Sequence, residues 1–458
     1  MHKATMNWDP LLCAHRIGLE KQKTRQQHRP PWQYDYDRIA FSSAFRRLQD
    51  KTQVFPLSSS DYVRTRLTHS IEAACVARSL GNLVGFSLQR RGVINSVHPL
   101  EIGMITSAAT LAHDIGNPPF GHSGESAIQS WFDSSPIVKK YCGSFNARQI
   151  ADFSNFEGNA QGFRMLARLR MRRDNGGMQL TAAVLGAFSK YPIESRIETE
   201  PESKRAGEKK FGFFQSEAEL FNTIAEKLGL LRLKGARRGW SRHPLAFLVE
   251  AADDICYRLV DFEDALQQKL IPAKKVEALL AEAAGGGEVL KKARREKSQR
   301  EQVNYLRSKA IGFAIEASAK AFLNNQKRIL SGTLHKSLVS LTPCEPTFEA
   351  IRELQREHVY RDDRVLKVET AGFKVIGGLL EAFFKAVCEV AEKKGNIDLA
   401  PQDSAKLFKL IPEEFVGERR AVSSDVYERL LRITDYICGM TDSYALNLYR
   451  SISGISLP

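Results

Sequence analysis

Apolar positions recur at helical spacing along most of the chain, and few runs alternate as a half-buried strand would. Residues 68–84 predict a helix in which Ala73, Val76, Leu80 and Val84 share one stripe. His69 falls on that stripe, so its imidazole is expected to face the interior. A second helix is expected over residues 100–115, with Met104, Ala108, Leu111 and Ile115 on its buried side. The following GNPPFGHSGE stops it with glycine and two prolines, leaving His113 and Asp114 at its C-terminal end. A third helix starts near Pro244 and buries Leu245, Leu248, Ala252, Cys256 and Leu259.

Between these helices the pattern loosens. Residues 1–60 are mixed and basic, and the breaker-rich HRPPWQYDYD at 28–37 precedes an expected short helix through 38–51. Residues 196–217 and 233–245 are polar and broken by Pro and Gly, and read as surface excursions. Residues 271–458 hold several helical segments with a break at Gly285-Gly286-Gly287. The expectation is an all-α protein: an arm over 1–60, a core over 61–270, and a helical region over 271–458 packed on that core.

With 458 residues, 43% hydrophobic and 26% charged, the chain can bury a sizeable core, which excludes a disordered, collagen-like or disulfide-scaffold protein. The first thirty residues lack an apolar signal-peptide region, and no later run is long enough to span a bilayer, so a cytoplasmic protein without a membrane segment is expected. Seven scattered cysteines without a CxxC pair read as buried thiols in a reducing compartment. The net charge of +14 attracts polyanions, whether nucleotides, nucleic acid or anionic lipid, or else keeps a helical surface soluble. The basic run KKARREKSQR at 291–300 reads as a solvated helix face.

Three separate segments offer metal ligands: His69, the pair His113 and Asp114, and Asp253. Two imidazoles and two carboxylates suit Mn²⁺, Fe²⁺, Mg²⁺ or Zn²⁺ with positions left open, and the lack of a nearby thiolate pair disfavours a structural zinc. Singly, each is ordinary, since a lone histidine on an apolar face is more often a hydrogen-bonded core residue. Asp253, Tyr257 and Asp261 stand at i, i+4 and i+8, and would line a pocket from one helix face. With Asp254, Glu263 and Asp264 nearby they would equally make an exposed acidic face. His122 and Glu125 form a possible acid-base pair, because a carboxylate on one imidazole nitrogen fixes the tautomer of the other. The plainer alternative is a histidine capping a loop.

The segments FRRLQDKTQVFPL, RTRLTHSIE, LAHDIGNPPFGHSGE, FEGNAQGFRML, KFGFFQSE, EAADDICYRLVDFEDA and GMTDSYALNLYRSISG follow one another along the chain. In that order they resemble the HD-domain deoxynucleoside triphosphate triphosphohydrolases, the bacterial dGTPase-like proteins. The resemblance implies an HD-domain helical core that hydrolyses a dNTP to deoxynucleoside and inorganic triphosphate by attack of water at the α-phosphorus. It implies that His69, His113, Asp114 and Asp253 hold the metal, Mn²⁺ or Mg²⁺ first and Fe²⁺, Ni²⁺ or Zn²⁺ as alternatives. His122 with Glu125 becomes the catalytic dyad. Arg66, Lys190 and Tyr191 become phosphate contacts, with Asn159, Lys209 and Lys210 as further candidates. Gln53 and Asp261 would read the sugar 3′-hydroxyl, and Tyr257 would pack on the deoxyribose. The resemblance also implies a homo-oligomer, commonly a hexamer, with a dNTP effector or single-stranded DNA as further partners. Two other readings compete: an HD phosphohydrolase of another nucleotide, and a single-stranded nucleic-acid binding protein with a vestigial site. The complete ligand set counts against the latter, as does the lack of aromatics interleaved with basic residues.

Overall fold

The structure, a computed structural model, describes residues 4–17, 29–55, 63–168, 177–200, 205–235 and 237–455. Its elements are helices, and the β-type pairings among the described residues are four isolated bridges, such as Thr52 with Thr65. The all-α expectation holds.

Helix α1 (Pro31–Ala40) begins inside the stretch expected to be irregular. The prolines do not break it because Pro31 opens it, where a missing N–H and a fixed φ cost nothing. The expected helix over 38–51 is instead the end of α1, a short helix at Ser43–Arg46 and a 3-10 turn at Arg47–Asp50. Helix α2 (Arg66–Arg90) starts where the Thr65 N–H donates to Thr68 Oγ1, 3.1 Å, and buries the predicted stripe with His69 on it. Helix α3 (Pro99–Leu111) stops four residues short of expectation. Successive tight turns follow, with the His113 N–H on the Thr110 carbonyl, 3.1 Å, and the Ile115 N–H on that of Ala112, 3.0 Å. They swing His113 and Asp114 off the helix.

Beyond it come α4 (His122–Ser134), α5 (Ala147–Ser154), α6 (Gly158–Ala167) and α7 (Ala182–Phe188). Helix α8 (Pro244–Leu259) starts as predicted but ends before Asp261, which opens α9 (Asp261–Gln267). The expected single face carrying Asp253, Tyr257 and Asp261 is therefore divided between two helices. The chain closes with α10 (Gln299–Asn324), α11 (Glu345–His358), α12 (Asp363–Glu392), α13 (Val426–Cys438) and α14 (Asp442–Ile452).

Apolar burial falls into two clusters. The first joins α1 to α3 with α7, α8, α10 and α11, and so draws on the arm, the core and the C-terminal region alike. The second joins α4 and α5 with α12 and α13. Helix α6 serves both, Phe163 lying in the first and Ala160 in the second.

The two supposed surface excursions are partly core. Phe213 fills the first cluster and Phe211 and Phe214 the second, while Trp240 and Leu245 are buried too. Three phenylalanines in four positions, pointing alternately into different clusters, leave no single-face period to read. Cys75 is exposed and Cys13 half-buried, so only five of the seven thiols are buried, and all seven are free. The basic run keeps its lysines and arginines exposed, with only Ala293 buried among them. No helix among the described residues is long and apolar enough to cross a membrane.

Candidate active site

The two clusters meet where α2, the α3 terminus and α8 face the start of α4. Buried on α2, His69 turns Nε2 to Asp253 Oδ1, 3.3 Å. The His113 Nε2 reaches the same oxygen, 3.3 Å. One donor atom from each of His69, His113 and Asp253 lies within 4.8 Å of the others, the spread of a shared cation's ligands.

The rings are oriented for that task. The His113 Nδ1 meets the Thr110 carbonyl, 2.7 Å, so it carries the proton and leaves the Nε2 lone pair toward the cluster. His69 Nδ1 faces Asp261 Oδ1, 3.4 Å, a carboxylate behind an imidazole. Burial opposes a charge on His69, but Asp261 and Asp253 outweigh it and push its pKa up to about 10. Asp253 is held well below the usual carboxylate range: burial works against its charge, and Lys190, then His113, overcomes it. Two imidazoles and a carboxylate so placed are a donor set that could hold a cation.

Asp114 stands beside the three, its Oδ1 3.6 Å from His113 Nε2. Its oxygens already accept from Arg66 Nη1 and Asn117 Nδ2, 2.6 Å each. Burial disfavours the Arg66 charge, yet Asp114 raises its pKa above the ordinary value. Lys190 donates to Asp253 Oδ2. Tyr191 is raised above its usual pKa by burial and lies near Arg242, whose guanidinium is 5.9 Å from the ring centroid.

His122 is the first residue of α4 and its side chain is 83% exposed, whereas Glu125 behind it is buried. His122 Nδ1 and Glu125 Oε2 are 2.7 Å apart. The other Glu125 oxygen accepts the Gly158 N–H, 2.7 Å, at the start of α6. Burial would raise Glu125, but its bond to His122 leads the effects that depress it. Burial and the nearness of Glu125 push neighbouring Glu157 up to about 7. Lys210 Nζ donates to Glu157, 3.0 Å, as does Asn159 Nδ2, 3.3 Å, and Lys209 is exposed. Two carboxylates held at different values give one an orienting role and leave the other proton-bearing near neutrality.

Gln53 Nε2 donates to Asp261 Oδ2, 3.0 Å, which joins those two candidates directly. The Tyr257 hydroxyl contacts that of Tyr360, and burial raises its pKa to about 12. Arg66 ties the two halves of the site together, since a Cβ on Gly121 would stand 2.7 Å from its Nη2.

A family description, the Phosphohydrolase-associated domain, matches residues 342–451, from just before α11 into α14. The Deoxyguanosinetriphosphate triphosphohydrolase-like protein of Synechocystis sp. is 42% identical over 455 residues, covering 99% of this chain and 100% of the relative. Its namesakes in Pseudomonas aeruginosa and Listeria monocytogenes are 38% and 36% identical, over 99% and 98% of this chain and all of theirs. The chain belongs to this deoxyguanosinetriphosphate triphosphohydrolase-like family.

In this triphosphohydrolase-like chain several groups near the site escaped the sequence reading. Lys51 is buried with its ammonium on two backbone carbonyls, and burial lowers its pKa to about 8. Arg242 makes a two-bond pair with Glu250, 2.9 and 2.7 Å, and donates to the Lys190 carbonyl, 2.6 Å, which fixes the stretch bearing Lys190 and Tyr191. Their signal was a basic or acidic residue inside a quoted segment, which does not distinguish a buried brace from a solvated side chain.

Proposed function

We propose that the chain is a metal-dependent deoxynucleoside triphosphate triphosphohydrolase, releasing deoxynucleoside and inorganic triphosphate and so acting on the deoxynucleotide pool. The observation that carries the reading is the three-donor cluster of His69, His113 and Asp253, together with the His122–Glu125 pair. The names of the family relatives support a triphosphate substrate.

His69, His113 and Asp253, with Asp114 beside them, would hold a divalent cation, Mn²⁺ or Mg²⁺ first. When bound it supplies Lewis-acid polarisation at the reacting phosphoryl group. Arg66, Lys190 and Lys210 take the polyphosphate charge, with Tyr191 and Asn159 alongside. Lys190, paired with Asp253 in the free protein, would contribute its positive charge to the phosphates. His122 keeps Nδ1 on Glu125 and presents Nε2 to open space, where it gives a proton to the departing 5′-oxygen. Gln53 and Asp261 bind the 3′-hydroxyl, and the Tyr257 ring packs where a 2′-hydroxyl would need room.

The deciding experiment incubates the purified protein with each of the four dNTPs and with GTP, in Mn²⁺ and separately in Mg²⁺, and resolves nucleoside, diphosphate, pyrophosphate and triphosphate. Deoxynucleoside and triphosphate in one step are expected. Phosphate or pyrophosphate as first product overturns the reading in favour of another nucleotide phosphohydrolase.

A further inference from the structure

Two of the ordered sequence segments, residues 45–57 and 439–454, have so far contributed only Gln53 to the reaction. They meet against the loop that leads into the dyad. Lys51 Nζ donates to the carbonyls of Asn117 and Cys438, 2.6 Å each. Buried Asp442 accepts the Phe120 N–H at Oδ1, 3.0 Å. Its Oδ2 accepts the Thr52 N–H, 2.9 Å, and the Thr52 hydroxyl. The loop over 117–121 is thus held at both ends by two segments remote in sequence.

What they hold is a costly conformation. Phe120 has φ +63°, in the left-handed region that an L side chain rarely adopts. Gly121 follows with φ 59° and ψ −129°, a region essentially reserved for glycine. These two residues set the direction in which the chain enters α4, and His122 is the first residue of that helix. Such backbone persists where surrounding contacts over-determine it, and a carboxylate accepting from both Phe120 and Thr52 does so.

We propose that Asp442, seated by Thr52, is a positioning residue that holds the Phe120–Gly121 turn, whose other end Lys51 fixes at the Asn117 carbonyl, so that His122 faces the reacting phosphate. The inference rests on the triphosphohydrolase reading for the reaction it serves, but not for the brace itself.

The test compares Asp442→Ala, Asp442→Asn and Ser443→Ala in the full chain. Ser443 donates to Asp50, 3.0 Å, across the same joint but away from the loop, so its variant reports what loosening the joint alone does. Both Asp442 variants should lower kcat roughly 10- to 100-fold, the scale of a catalytic group displaced by about an ångström. KM should stay within about twofold, because ground-state binding is untouched. Ser443→Ala should match the wild type. Adding Asp442→Ala to His122→Ala should cost no further turnover, since the brace acts through that histidine.

Amide hydrogen exchange over 117–125 should quicken in Asp442→Asn, whose single oxygen cannot serve both Phe120 and Thr52. That variant carries the test if Asp442→Ala does not fold. Unchanged exchange overturns the proposal, as does faster exchange with wild-type kcat, an equal loss in Ser443→Ala, or a further loss on the His122→Ala background. Wild-type protein that releases no triphosphate overturns the reaction instead, and the exchange measurement still decides the brace.

Discussion

In the proposed reaction Asp253 and His122 divide the work of the site between metal binding and proton transfer, and single substitutions separate the two. Asp253 is the oxygen donor shared by both imidazoles, so Asp253→Ala should abolish bound metal and turnover together, read by metal analysis and product assay. His122→Ala should leave metal content unchanged while lowering kcat by roughly 10²-fold or more, the scale of lost general acid-base catalysis. A different titratable group governs stability. Asp152 is buried under donors from Ser195, Gln215 and Tyr427, and burial raises its pKa to about 7, well above the ordinary carboxylate value. The native state therefore keeps a proton that the unfolded chain releases, so Asp152 erodes stability as pH rises between about 4 and 7. In Asp152→Asn that erosion should vanish, seen as a smaller loss of urea midpoint from pH 5 to pH 8 than in the wild type.

Among elements, the α2–α3 pair bears most directly on the metal donors, because one carries His69 and the other runs into His113. Their axes approach closely enough that a Cβ on Gly81 would stand 2.6 Å from the Gly103 Cα and 2.5 Å from Thr106 Oγ1. Gly81→Ala should destabilise the fold by roughly 1–3 kcal/mol, the usual cost of overpacking, measured by thermal unfolding. It should also weaken metal binding, read by titration, since the helices must part to admit the methyl group. The face of α2 was legible from spacing, whereas α3 is buried nearly all round and Met104 of its expected inner side is only half-buried; the ends of the helices were not legible. Helix α3 ends early where the His113 ring takes the Thr110 carbonyl, a side-chain cap that no periodicity announces. Helix α8 yields to α9 at Val260, which turns Asp261 behind His69 rather than one turn beyond Tyr257.

Over the whole molecule, a buried ionic network fastens the two apolar clusters. Arg164 of α6 donates through Nε to Asp435 of α13, 2.9 and 3.0 Å, and through Nη1 to Glu217, 2.7 Å, all three groups buried. Arg164→Met keeps much of the side-chain volume but strips buried Asp435 of its arginine and Glu217 of the nearer of its two, Arg168 standing 3.4 Å away. It should cost about 3–5 kcal/mol, measured by urea unfolding. The network also explains why the helical region after residue 342 cannot be treated as an addition to a finished core. Through α13 and α14 it supplies Asp435 and Asp442 to the network and to the loop before His122.

The sequence by itself determined the helical class and the buried faces of α2 and α8, and it named His69, His113 and Asp253 as candidate donors. Those properties follow from local spacing and from the chemistry of single side chains. The tertiary structure alone decided that Phe211, Phe213 and Phe214 divide between two clusters, that Asp261 stands behind His69, and that Lys51 and Asp442 hold the turn before His122. Each of these is a contact between residues far apart in the chain. Its energy depends on burial and on a partner's position, which no window of neighbouring residues contains.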